Sequence, residues 1–333
     1  MDRRKMITAL ALVALSIGLL VWNFEDKPRR YFRNDGNVFG TVYHIQYEYD
    51  RDLIDSIRVC LAQVDSALSM FNPVSTIARI NRNEDVLTNN DFESVFSQAQ
   101  EVSRLSEGAF DLTVAPLVNA WGFGFEKRPS NPEQIDSLRL LVGYQNVSLT
   151  NHRVTKLNPG VQLDASAIAK GFACDKVADK LLQMGVENLL VEIGGEVVAV
   201  GHNSKGNPWT IGITKPVDDT TGQQQTLQDR IQTTDLRMAT SGNYRNFYYE
   251  GAQKRSHTID PRTGYPVQHS LLSATVTAST CMRADALATA CMVLGDTAAI
   301  SLINRIPDAE CYLIVAAQDT LITRTSNHWT LTE

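Results

Sequence analysis

The sequence has few cysteines and lacks the cysteine spacings of a metal or disulfide framework. Its five cysteines are spread over 333 residues, and none forms a CxxC pair or lies at metal-ligand spacing from a histidine. No disulfide scaffold is implied. Cys174 and Cys291 fall on apolar faces of predicted helices, where we expect them to be small buried side chains.

The sequence also lacks internal repeats, low-complexity tracts and an excess of basic residues. The formal net charge is -6, and residues 1–30 contain six basic against three acidic side chains, so the remainder carries -9. An acidic body argues against nucleic acid as a main partner. With 43% hydrophobic and 20% charged residues, the chain is ordinary for one large globular domain or two small ones.

The N-terminus has the pattern of an export signal. Arg3, Arg4 and Lys5 precede the uncharged residues 6–24, a basic segment followed by an apolar one. Residues 21–24 are bulky, so no small-x-small cleavage site follows. We therefore favour an uncleaved anchor over a cleaved signal peptide, with the body outside the cytoplasm. A buried core helix would not explain the basic flank. Residues 1–30 are assigned to this segment and its linker, and residues 25–37 are expected to be polar and irregular.

The remaining pattern predicts a mixed α/β (α+β) protein. Strands are expected at 38–49, 189–193, 197–200 and 209–213, where β-branched and aromatic residues concentrate. Helical spacing of apolar residues occurs at 53–68, 92–102 and 167–184, and a further helix carries Asp285 and ends at Leu294 before Gly295.

Two of these helices carry the most informative residues. Lys170 lies near the start of the helix at 167–184, where backbone amides and a lysine would attract a phosphate. Asp164 could contribute there, or serve only as a helix cap. Asp285 and Thr289 are four residues apart on one helix face and suit a hard cation such as Mg²⁺. Taken alone, that spacing is explained better by a helix cap or by an incidental acid on a helix face.

Several loops contain aromatic, glycine and histidine residues typical of a ligand site. The loops at 69–73 and 116–124 combine aromatics with Asn and Gly and suit a planar ring ligand, although Trp121 could simply anchor a surface loop. His257 precedes Asp260 and Pro261, which favours an exposed position at a strand end. A lone histidine is more often structural than catalytic.

Taken together, the motifs resemble one family, the ApbE family of FAD:protein FMN transferases. The resemblance covers about residues 38–300 and rests on seven ordered segments, at 40–45, 106–124, 164–171, 191–196, 239–246, 257–266 and 284–289. It implies that residues 31–333 form one flavin transferase domain with a FAD cleft between helices and a mixed sheet.

The resemblance also implies roles for individual residues. Mg²⁺ would be held by Asp285, Thr289 and the main-chain carbonyl of Ala167. FAD would contact residues in six places: Phe39; Ser69, Met70 and Phe71; Ala120, Trp121 and Gly122; Asp164; Lys170; and Ile259. Phe39, which would stack on the ligand, stands where relatives can carry methionine.

The implied reaction is phosphoryl transfer, in which a threonine or serine hydroxyl of a partner protein attacks the FMN-side phosphorus of FAD and AMP leaves. His257 is the leading candidate for the base that accepts the hydroxyl proton, and Asp285 is the competing one. Two alternatives are a Mg²⁺-dependent FAD pyrophosphatase, with water as nucleophile, and a non-enzymatic extracytoplasmic flavin carrier.

The resemblance further suggests where the protein works. Many relatives are lipoproteins, but the first cysteine here is Cys60, so lipid attachment at the end of a signal peptide is excluded. The N-terminal helix would tether the domain to the periplasmic face of the bacterial inner membrane instead. Expected acceptors are membrane-associated flavoproteins such as subunits of sodium-pumping NADH:quinone reductase or the Rnf complex.

Overall fold

An antiparallel β-sheet of eight strands forms the centre of the computed structural model, which describes residues 29–124, 132–217, 226–243, 247–250, 253–318 and 320–330. The strand order is β1-β2-β5-β6-β9-β12-β13-β14. The α+β class is confirmed. The expectation of a mixed sheet is wrong in one respect, because every pair of neighbouring strands in this sheet is antiparallel.

All the predicted strands and helices are present among the described residues, together with further elements that the sequence did not predict. The strands are β1 (Arg30–Val38), β2 (Thr41–Tyr49), β3 (Val147–Thr150), β4 (Arg153–Lys156), β5 (Leu189–Ile193), β6 (Glu196–Val200), β7 (Trp209–Thr214), β8 (Leu227–Thr233), β9 (Asp235–Gly242), β10 (Phe247–Glu250), β11 (Gln253–Ser256), β12 (Leu271–Thr277), β13 (Glu310–Ala317) and β14 (Thr320–Thr325). The α-helices are α1 (Ile54–Leu68), α2 (Thr76–Asn81), α3 (Asn90–Leu105), α4 (Ala115–Ala120), α5 (Pro132–Arg139), α6 (Ala169–Gln183), α7 (Cys281–Leu294) and α8 (Asp296–Ile303).

The segment expected to be an irregular linker contains a strand. Residues Arg30–Val38 form β1, an edge strand paired along its whole length with β2. Most of its residues are polar, and all nine are exposed or half-buried, so its sequence lacks the apolar alternation of an inner strand. The predicted N-terminal anchor lies outside the described residues. Within the described part of the chain, no helix is long and apolar enough to cross a membrane.

Helix α7 is apolar around nearly its whole circumference because protein surrounds it. It packs on β9 and β12 and against α3 and α6. Ala284, Ala286, Ala288 and Ala290 are completely buried along it. Small side chains allow such close approach on several sides at once. The main hydrophobic core therefore lies between the sheet and helices α1, α3, α6 and α7.

The opposite side of the sheet is covered by the hairpin β7–β8. Trp209, Ile211 and Ile231 of this hairpin pack with Val197 of β6 and Met238 of β9 in a second apolar cluster. A third cluster joins α4 and α5 to Ile259. All five cysteines are buried and free of disulfide bonds, so the predicted burial of Cys174 and Cys291 is confirmed.

Candidate active site

A cleft of about 370 Å³ runs along α7 and the start of α6. Nine of the residues predicted to form the site line it: Met70, Phe71, Asp164, Ala167, Lys170, His257, Ile259, Asp285 and Thr289. These residues come from distant parts of the sequence, and the fold brings them around one space.

Asp285 is held at the base of this cleft by the closest contact between α6 and α7. Its side chain is buried, and Oδ2 accepts a hydrogen bond from the backbone N–H of Gly171 at 3.0 Å. Its other oxygen, Oδ1, lies 3.8 Å from Nζ of Lys170. No hydrogen bond among the described residues uses Oδ1, so this oxygen is available to a ligand in the cleft.

Gly171 makes this contact possible because it has no side chain. A Cβ atom there would lie 2.4 Å from the carbonyl oxygen of Cys281 and 2.8 Å from Cβ of Asp285. Two backbone segments would have to separate to admit it. The glycine that ends the motif at 164–171 is therefore required for the crossing of the two helices.

Alanine at position 171 is expected to destabilise the protein and displace Asp285. In an exposed helix, Gly→Ala is favourable by about 1 kcal/mol. Here the overlap with backbone atoms should reverse the sign and cost roughly 1–3 kcal/mol. Chemical denaturation of Gly171→Ala measures the change. Gly206→Ala is the control, since its Cβ would meet open space and only its φ of 74° opposes the substitution. Equal stability of Gly171→Ala and the wild type would contradict the proposed close contact.

The start of α7 is also fixed by α6. Asp175 of α6 accepts hydrogen bonds from the backbone N–H groups of Cys281 at 2.9 Å and Met282 at 2.8 Å. Thr280 caps the same end by accepting from the N–H of Arg283 at 3.1 Å. Burial raises the pKa of Asp175 to about 6, against the two N–H bonds that lower it. These contacts fix the N-terminus of α7, the helix that carries Asp285 and Thr289.

Lys170 lies between two buried carboxyl groups. Its Nζ is 2.8 Å from Oε1 of Glu196 and 3.8 Å from Oδ1 of Asp285. Burial alone would lower the pKa of Lys170, but the two carboxylates raise it above its ordinary value. Burial raises the pKa of Glu196 and that of Asp285 above their usual ranges, while the Lys170 ammonium opposes both shifts. With two acids and one ammonium, the site is short of positive charge.

The predicted Mg²⁺ ligands fit a divalent cation. Asp285 offers one free carboxylate oxygen, and Thr289 lines the same cleft with its Oγ1 3.3 Å from Oγ of Ser241. Ala167 lies just before α6 and also lines the cleft. Oxygen ligands of this kind suit Mg²⁺, which needs few protein groups and keeps water or phosphate in its other positions. The two carboxyl groups beside the single Lys170 ammonium also favour a cation in the cleft.

Asp164 has a structural role and also lines the cleft. Its Oδ1 accepts a hydrogen bond from the N–H of Ser166 at 2.8 Å, and burial raises the pKa of its carboxyl. This bond closes a turn ahead of α6, whose N-cap is Ile168 and has no side-chain cap hydrogen bond, so the helix-cap interpretation of Asp164 is wrong. Asp164 stabilises the turn that leads into α6 and lines the cleft.

His257 directly follows β11 and lines the cleft, as expected for a residue at a strand end. Its ring is 6.3 Å from that of Phe123 in an edge-on arrangement. Phe123 in turn packs on Tyr248 at 5.4 Å. Aromatic neighbours on one side and the cleft on the other place the imidazole where it can meet a reacting group.

The other predicted FAD contacts lie outside the cleft lining. Trp121 is buried, and its indole N–H donates to the carbonyl of Gly264 at 2.8 Å. Ala120 packs in the apolar cluster that contains Trp121 and Ile259. Gly122 has a positive φ of 79°. Ser69 hydrogen-bonds within its own loop, and Phe39 sits at the β1–β2 turn against the main core. Direct ligand contact by these residues stays a prediction.

Three residues of the site were not identified from the sequence. Glu196 ends one of the seven family segments but has no role predicted from the sequence, and neither Gly171 nor Asp175 has one. A signal was present for Glu196, since an acid directly after two glycines and before four apolar residues is unusual in a strand. Nothing in the sequence marks Asp175 as the cap of a helix that begins more than a hundred residues later.

Comparison with known proteins agrees with this geometry. The model of the ApbE family matches residues 39–313. The chain is 36% identical to a FAD:protein FMN transferase of Haemophilus influenzae, over 97% of each chain. It is 37% identical to one of Vibrio cholerae, over 89% of this chain and 91% of that protein.

Solved structures show the same similarity. The flavin transferase ApbE from Vibrio cholerae superposes with a TM-score of 0.81 at 34% identity, covering 90% of this chain and 98% of the other. Pseudomonas stutzeri flavinyl transferase ApbE in its apo form gives 0.80 at 31% identity, covering 90% and 95%. The resemblance seen in the sequence motifs is confirmed, and the chain belongs to the ApbE family, whose matched members are transferase enzymes.

Proposed function

We propose that the protein transfers the FMN part of FAD to a threonine or serine hydroxyl of an acceptor flavoprotein, with Mg²⁺ and with release of AMP. The observation that carries this proposal is the single cleft shared by Lys170, Asp285, Thr289 and His257. The names of the relatives from Haemophilus influenzae and Vibrio cholerae support it.

The cleft has both apolar and charged lining residues, which suit the flat flavin ring and the charged pyrophosphate of FAD. Met70, Phe71 and Ile259 provide an apolar lining for a flat ring, whereas Lys170 and Asp285 provide the charged part. Phe71 is 71% exposed, so it can cover a ring that enters from solvent. The pyrophosphate is expected beside Lys170 and the first turn of α6.

Asp285, Thr289 and the carbonyl of Ala167 would hold the metal ion. Bound there, Mg²⁺ would neutralise charge on the pyrophosphate during the reaction. Gly171 and Asp175 fix the orientation of α7, so that Asp285 presents Oδ1 rather than Oδ2 to the cleft.

The reaction exchanges the phosphoanhydride bond of FAD for a phosphoester bond to the acceptor. The acceptor hydroxyl oxygen forms a bond to the FMN-side phosphorus, and the bond from that phosphorus to the oxygen of AMP breaks. His257 accepts the hydroxyl proton, and AMP leaves with the electron pair of the broken bond. The acceptor keeps FMN through a phosphoester.

The direct test incubates the protein with FAD, Mg²⁺ and an acceptor flavoprotein domain that carries the target threonine. We expect the acceptor to gain the mass of FMN less one water and one AMP to appear for each FMN transferred. An acceptor of unchanged mass, with a protein that binds FAD, would contradict transfer. Release of free FMN with AMP in the absence of an acceptor would favour the pyrophosphatase, and intact FAD in every reaction would favour the carrier.

We also propose that residues 6–24 anchor the domain at the periplasmic face of the inner membrane, beside acceptors such as subunits of sodium-pumping NADH:quinone reductase or Rnf-type complexes. The basic residues before the apolar segment support this orientation. Membrane fractionation with protease treatment of spheroplasts tests it. Recovery of the full-length protein in the soluble cytoplasmic fraction would contradict it.

A further inference from the structure

Glu196 is a buried acid placed directly behind Lys170. It begins β6 after the turn at Gly194 and Gly195, and only 1% of its surface is exposed. Its Oε1 lies 2.8 Å from Nζ of Lys170, whereas Oε2 has no hydrogen-bond partner among the described residues. Glu196 does not line the cleft, so it reaches a ligand there only through Lys170.

Two buried acids lie within 4 Å of the Lys170 ammonium. Asp285 and Glu196 are equally buried, yet Nζ is 1.0 Å closer to Glu196, from 3.8 against 2.8 Å. The turn before β6 also packs on the stem of the lysine, since a Cβ at Gly194 would lie 3.3 Å from Cδ of Lys170. The β5–β6 turn thus sets both the direction of the stem and the position of the charge.

We propose that Glu196 is a positioning residue that holds the Lys170 ammonium away from Asp285 and so keeps Oδ1 of Asp285 available for the cation. This inference rests on the metal site of the proposed function. With Glu196 replaced by a neutral residue, Asp285 is the acid that remains beside Lys170. The ammonium then moves onto Oδ1 and competes with the metal ion for it.

Glu196→Gln tests the inference because it removes the charge and keeps the shape. We expect the Mg²⁺ concentration that half-saturates FAD binding, followed by flavin fluorescence, to rise about tenfold or more. Saturating Mg²⁺ should return FAD affinity close to the wild-type value. Glu192→Gln is the matched control, since Glu192 lies in β5 just before the same turn and binds the N–H of Gly195 rather than Lys170. Its half-saturating Mg²⁺ should match that of the wild type.

A second measurement separates displacement of Lys170 from general damage. A crystal structure of metal-free Glu196→Gln should place Nζ of Lys170 within hydrogen-bond distance of Oδ1 of Asp285.

Two results would overturn the inference. The first is wild-type Mg²⁺ dependence in Glu196→Gln, and the second is a Lys170 side chain that stays 3.8 Å from Asp285 in that variant. Failure of the proposed metal site itself looks different, because FAD binding by the wild-type protein would then be the same with Mg²⁺ and with EDTA.

Discussion

Asp285→Asn is expected to reduce FMN transfer by roughly 10³-fold. Asparagine has the shape of aspartate and can still accept the N–H of Gly171, so the crossing of α6 and α7 is kept. It lacks the charge that a hard cation needs. Single-turnover labelling of the acceptor measures the loss, and FAD titration in EDTA should give a dissociation constant within a few fold of the wild-type value.

The same substitution should leave stability unchanged or raise it. Burial raises the pKa of Asp285, which means that the ionised carboxylate is unfavourable in the folded protein. Its removal leaves Lys170 paired with Glu196. Asp179→Asn is the control, with the same charge change at an exposed position of α6. Full transfer activity in Asp285→Asn would remove this residue from the metal site.

His257→Ala is expected to reduce the rate of transfer by about 10²–10⁴-fold while FAD binding is nearly unchanged. The imidazole lies at the cleft beside Phe123 and takes no part in the Lys170 cluster. Its loss should therefore affect the proton transfer from the acceptor hydroxyl more than the binding of the dinucleotide. Single-turnover rates at saturating FAD and Mg²⁺ measure the effect.

Added imidazole should restore part of the rate to His257→Ala if this residue is the base. His44→Ala is the control, because His44 is paired with Asp35 at 2.6 Å on β1 and β2 and does not line the cleft. A His257→Ala rate within threefold of the wild type would instead favour Asp285 as both metal ligand and base.

The sequence predicted the helices that carry the site better than it predicted the contacts between them. Apolar spacing and the glycines after each helix located α6 and α7 to within a few residues, because burial on one side and a C-terminal stop are local properties. Strand β1 was missed because its pairing with β2 leaves no local pattern in the sequence. The backbone of an edge strand can pair with its neighbour whatever its side chains are, so a polar edge strand resembles a linker.

The cluster of Lys170, Glu196 and Asp285 could not be predicted from spacing. Each residue lies on a different element, and the sheet order that places β6 beside β9 and under α7 is not encoded in any local pattern. Family resemblance supplied Lys170 and Asp285 as ligand contacts. It gave no role to Glu196, since that residue acts behind the ligand and has meaning only when the distances are known.

The hydrogen bond from Gly171 to Asp285 joins positions 114 residues apart. Closing a loop of that length costs chain entropy that local helix formation cannot offset, so this contact is expected to form late in folding. A nascent chain that has not yet produced α7 has no complete phosphate site, however well α6 is formed. Flavin capture during biosynthesis is therefore expected only after nearly the whole chain has been made, and bound flavin would report completed folding.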